Sequence, residues 1–141
     1  MEPGLEAGPP PQASADELVA AGGDTSEERA GSLRMALSNA MVGLKKQYYG
    51  KGPSRARTYL MDEYVFVVME GGLTRNEETL LADGKSDLVR GYRLAFQETV
   101  AETAVAAVQD LTGRKVVGYH SQIVFDPARA FEIFVLDEPA G

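Results

Sequence analysis

The chain has no cysteine and a single histidine among its 141 residues. The first absence excludes disulfides, thiolate nucleophiles and zinc-thiolate sites; the second excludes the usual His-rich metal sites. No apolar run approaches the roughly 20 residues that span a bilayer. The N-terminus also lacks the basic and apolar regions of a signal peptide, so a soluble, cytoplasmic protein without direct membrane insertion is expected. Positive charge is in short supply as well, with 14 bases against 21 acids. That deficit is concentrated at one end. Residues 1 to 30 hold seven acids against Arg29, whereas residues 31 to 141 hold 14 acids and 13 bases. A nearly neutral folded part gives no reason to expect nucleic-acid binding.

What is present suffices for one domain, because 44% of the residues are hydrophobic. Residues 1 to 30 contain Pro3, Pro9, Pro10 and Pro11 and no aromatic residue. Such a stretch cannot bury enough apolar surface to offset the entropy of ordering, so it is expected to be a disordered acidic tail ahead of a single domain at 31 to 141.

From Ser32, a plausible N-cap, the residues Leu33, Leu37, Ala40, Met41, Leu44 and Tyr48 recur at helical spacing, with Lys45 on the other face. Gly50 ends this helix of about 17 residues and Pro53 keeps it from resuming. Arg55 to Met61 and Tyr64 to Met69 are β-branched and aromatic runs separated by Asp62-Glu63, the length of a hairpin turn. The second run is apolar on both faces, which predicts a central strand or one covered by another subunit. Thr74 and Glu77 form the spacing of a capping box for a short helix. A long helix is predicted over Ser86 to Thr112, with an apolar stripe through Leu88, Tyr92, Phe96, Val100, Ala104, Val108 and Leu111, closed by Gly113. Two further strands, Lys115 to Phe125 and Ala130 to Leu136, flank a proline turn at Asp126-Pro127. The order helix, hairpin, helix, helix, hairpin predicts an α+β fold: a four-stranded antiparallel sheet with its helices on one face. Apolar residues on both faces of two strands predict a homo-oligomer, a dimer or larger.

Four segments, Gly50-Lys-Gly-Pro53, Glu70-Gly-Gly-Leu-Thr74, Leu111-Thr-Gly-Arg-Lys-Val-Val117 and Phe131-Glu-Ile-Phe-Val-Leu136, occur in the order found in the MpsC-like family. The chain resembles that family over roughly residues 33 to 137. The resemblance implies an accessory protein of a bacterial Na+-translocating, membrane-potential-generating system, with a membrane-protein partner and a peripheral place at the membrane. It carries over no catalytic residue.

Read residue by residue, the chain offers one basic cluster: Lys45, Lys46, Lys51, Arg55 and Arg57, with no acid between Ser32 and Met61. Lys51, Gly52, Arg55 and Arg57 are the candidate anion-binding residues, since Gly50 and Gly52 allow backbone N–H groups to turn toward a phosphate or carboxylate. The plainer reading is a basic helix-to-strand turn that discourages edge pairing. Gly71-Gly72 ahead of the capped helix has the same two readings. His120 is a candidate general base with no nominated partner, and Tyr48, Tyr49 and Tyr59 could stack on a nucleotide or simply pack. No cofactor, metal or catalytic set is assigned. A non-enzymatic accessory protein leads, with an anion- or nucleotide-binding sensor using the turn 50–57, or a small enzyme with an intersubunit site near His120, as alternatives.

Overall fold

The computed structural model describes residues 25–138. Its elements are α1 (Ser26–Tyr49), β1 (Arg55–Met61), β2 (Tyr64–Glu70), α2 (Arg75–Ala82), α3 (Ser86–Thr112), β3 (Val116–Val124) and β4 (Arg129–Leu136). The strands form one antiparallel sheet in the order β1-β2-β4-β3, so the two hairpins join through their second strands. The helices pack on one face of it.

The first helix begins earlier than Ser32. Thr25 is its N-cap: the Thr25 hydroxyl accepts from the Glu28 N–H at 3.0 Å, and the Glu28 carboxylate accepts from the Thr25 N–H at 2.7 Å. This reciprocal capping box satisfies two donors at the helix end, and helix then runs through Gly31 and Ser32. Residues 25–30 therefore start a helix, while the rest of the expected tail lies outside the described residues. At the other end Gly50 takes the left-handed conformation and donates to the Lys46 carbonyl, as the glycine stop requires.

The core lies between α1, α3 and one face of the sheet. Leu37, Val65, Val67, Val108 and Phe134 are completely buried there, joined by Met41, Met69, Ala104 and Leu136. Each such side chain contributes about 1.5–3 kcal/mol by leaving water. On β3 the register slips between Val116 and Gly118, which leaves Val117 as an extra, exposed residue. That bulge lets both Val116 and Tyr119 face the core cluster despite their odd spacing.

The predicted stripe of α3 holds in its second half and fails in its first. Val100, Ala104 and Val108 are buried, but Leu88 and Tyr92 are more than half exposed. Val89, Arg93 and Gln97 face inward in their place. Likewise Tyr48 is exposed on α1, and Lys45 is buried. The cause in both helices is a polar network beneath them.

Candidate functional site

The network centres on Glu132, which stands on the covered face of β4 between Ala130 and Phe134 and is 2% exposed. Each of its neighbours comes from a different part of the fold. Tyr119 on β3 donates its hydroxyl to Glu132 Oε1, and Ser121, two residues on, donates to Oε2 at 3.1 Å. Gln97 on α3 donates to Oε2 as well and to the Ser121 hydroxyl at 2.9 Å. Lys45 on α1 completes the set, its Nζ 3.5 Å from Oε2. A buried carboxylate is tolerable only when so surrounded, because desolvation of the charge otherwise outweighs its attractions.

One turn before Gln97, Arg93 makes a second buried pair. Its Nε and Nη2 each lie 2.5 Å from a Glu77 oxygen in a two-point clasp, and Nη2 also donates to the Gly72 carbonyl at 3.0 Å. Glu77 is at the same time the acid of the α2 capping box, accepting from the Thr74 N–H at 2.8 Å. The side chain thus ties the start of α2 to the middle of α3. Tyr49 lies below both cations, its ring centroid 4.0 Å from the Arg93 guanidinium carbon and 5.3 Å from Lys45 Nζ. Its hydroxyl donates to the Arg93 carbonyl at 3.4 Å.

Burial pushes Lys45 below the ordinary lysine range and the Arg93 charge adds to this, while Glu132 opposes both. Burial pushes Glu77 up, but the bonds from Arg93 and Thr74 outweigh it and hold the carboxyl below the usual range. Burial raises Tyr49 to about 12. Tyr119 moves up through burial and then through the adjacent Glu132 charge, so both phenols stay neutral donors.

Two small cavities border this network, each with about 10 Å³ of space, room for roughly one water molecule. The first lies under Tyr48 and Tyr49 and reaches Glu132. The second opens between the two loops, lined by Lys45, Lys51, Arg93, Gly71 and Gly72 among others.

Of the residues expected to bind an anion, only Lys51 reaches that second cavity. Gly52 lies beside it as packing: an added Cβ would touch Lys46 and Val42 at ordinary distances. Arg55 and Arg57 open β1 on the sheet's uncovered face, in register with Glu70 and Val68, so the structure does not bring them to Lys51. His120 is exposed on that same uncovered face, with no hydrogen bond or ion pair among the described residues. Among those residues no cluster of three His or acidic side chains could hold a metal. Arg93, Gln97 and Glu132 escaped the sequence reading. Their signal was present: Val89, Arg93, Gln97, Val100, Ala104 and Val108 repeat at steps of three and four, a helical face only if two polar members are admitted.

The uncovered face of the sheet is of a different character. Tyr59, Met61 and Tyr64 are exposed by 40%, 51% and 43%, and Phe66, Val68, Phe131, Ile133 and Val135 lie half-buried among them. Tyr59, Phe66 and Phe131 form a ladder of rings with centroids 6.1 and 6.0 Å apart. No described helix covers this surface.

Comparison with known proteins then places the chain. Residues 29–138 match the family model described as Na+-translocating membrane potential-generating system (MpsC). A relative in Bacillus subtilis (strain 168), the uncharacterized protein YrhF, is 25% identical over 96 residues, which cover 67% of this chain and 79% of the relative. No solved structure matches.

Proposed function

The chain belongs to the MpsC family, and on that premise we propose that it is a non-enzymatic accessory protein of a Na+-translocating, membrane-potential-generating system. It acts through protein contacts. The observation that carries this reading is the uncovered sheet face, a contiguous aromatic and aliphatic surface of the kind that marks an interaction site. Among the described residues no helix is long and apolar enough to cross a membrane, so the reading gives the ion path to partner subunits. The cavities along the polar network are far below the roughly 300 Å³ at which small-molecule sites begin, which favours contacts over turnover. In this reading a second copy of the chain covers the open face around a two-fold axis, where the same patch meets itself, and the pair stands in the cytoplasm beside its membrane partner.

The functional test is the membrane potential set up by Na+ in cells that lack this chain. Wild-type protein supplied in trans should restore it. The Tyr59→Glu, Tyr64→Glu variant should not, although it folds. Full restoration by the variant would contradict the contact reading, and an unchanged potential in cells lacking the chain would contradict the assignment to the ion system.

A further inference from the structure

The second cavity owes its shape to the two glycine loops. The turn after α1 crosses the end of β2, where the Ser54 N–H donates to the Glu70 carbonyl at 2.9 Å. The backbones approach so closely that a Cβ on Gly72, which has φ 82, would lie 3.0 Å from Pro53 Cα. Side chains are thereby kept out of the space between them, and what faces it is cationic. Lys45, Lys51 and Arg93 line the cavity, and no carboxylate does.

The acids that neutralise two of these cations, Glu132 and Glu77, are not among the cavity's walls. Lys45 is 8% exposed, yet its ammonium has three donors and one hydrogen bond, at 3.5 Å. Arg93 spends Nε and Nη2 on Glu77 and Gly72, and Nη1 makes no hydrogen bond among the described residues. Buried donors left this way are costly unless something accepts from them. A water would satisfy some of them. It would not answer the charge, because the cavity and its mouth hold three positive groups against two acids set behind them.

We propose that this cavity binds an oxyanion of the phosphate class, with one oxygen seated on the Lys45 ammonium and the Arg93 guanidinium and Lys51 closing over it from outside. The space admits one oxygen-sized atom, so the remainder of the phosphate lies at the mouth. The lowered proton affinity of Lys45 fits such a vacancy of negative charge, and a bound anion would reverse it. This site is independent of the sheet-face reading.

Calorimetric titration of the full chain with inorganic phosphate at low ionic strength should give saturable binding. Lys51→Ala should weaken it about tenfold, the loss of one charge-assisted hydrogen bond, and Lys45→Met should abolish it. Lys51 is exposed, so its variant keeps the question open to decision even if Lys45→Met does not fold. Phenyl phosphate as the probe separates the sources: tighter binding than inorganic phosphate supports the end group of a larger molecule, and equal binding supports the free ion. No saturable binding, affinity unchanged in Lys51→Ala, or acetate bound as well as phosphate would each overturn the proposal.

Discussion

The two faces of the sheet invert the usual arrangement. The face under the helices carries Thr58, Tyr119, Ser121 and a buried Glu132 beside its valines, whereas the bare face presents Tyr59, Met61, Tyr64, Phe66, Phe131 and Ile133. A sheet built to stand alone would turn its apolar face inward and its polar face to water. Here the covered face has been made polar at one end, and a wholly apolar patch is left uncovered. The difference separates two tasks. The bare surface is suited to contact with another chain, while the buried polar groups fix how α1, α2 and α3 sit on the sheet.

The sharpest way to break that distinction is at Arg93. Arg93→Ala leaves Glu77 buried without its partner and should destabilise the fold by about 3–5 kcal/mol in chemical denaturation. A loss under 1 kcal/mol would mean that the clasp does not organise the helices. Arg93→Met combined with Glu77→Leu should recover most of the loss, since apolar packing can replace a buried pair once neither charge is left alone.

Phenylalanines on the two faces give the next comparison. Phe134, completely buried, should cost about 3–5 kcal/mol when replaced by Ala. Phe131, three residues before it and half-buried on the bare face, should cost markedly less in dilute solution, where no second chain covers it. Equal losses would show that the bare face is already buried in the protomer.

The polar face should also leave its mark on the pH dependence of stability. Glu77 keeps its charge in the folded state below the ordinary glutamate range, so as pH falls through that range the unfolded chain takes up the proton first and stability declines. Lys45 acts in the other direction. Between its lowered value and the ordinary lysine range the unfolded chain holds a proton that the folded chain has released, so stability rises with pH. From about pH 10 to 12 Tyr49 reverses that trend, because the folded chain retains a phenol proton that the unfolded chain loses. Thermal denaturation across pH should show both limbs. Glu77→Gln should flatten the acid limb and Tyr49→Phe the alkaline one; unaltered limbs in these variants would assign them to other groups.

How much of this was legible in the sequence depended on which face a residue served. β1 over Arg55–Met61, α3 over Ser86–Thr112 and the capping box at Thr74 and Glu77 are where periodicity and cap chemistry put them, because apolar spacing and local hydrogen bonds determine such features. The start of α1 was obscured by Gly31 and Ser32, which look like a break and a cap, although Thr25 and Glu28 repeat the signature seen at Thr74. The polar site was hidden for a different reason. Lys45, Arg93 and Gln97 read as solvent-facing by residue type, and only the tertiary position of Glu132 draws them inward. The apolar character of both sides of β2 was plain from Tyr64 to Met69.

Sedimentation velocity of the purified chain, wild type against Tyr59→Glu, Tyr64→Glu, tests the role of the bare face most directly. Both substituted residues are substantially exposed, so the fold should lose no more than about 0.5 kcal/mol at each. The account predicts a dimer for the wild type and a folded monomer for the variant. A wild-type chain that stays monomeric at tens of micromolar, or a variant that still dimerises, would contradict it.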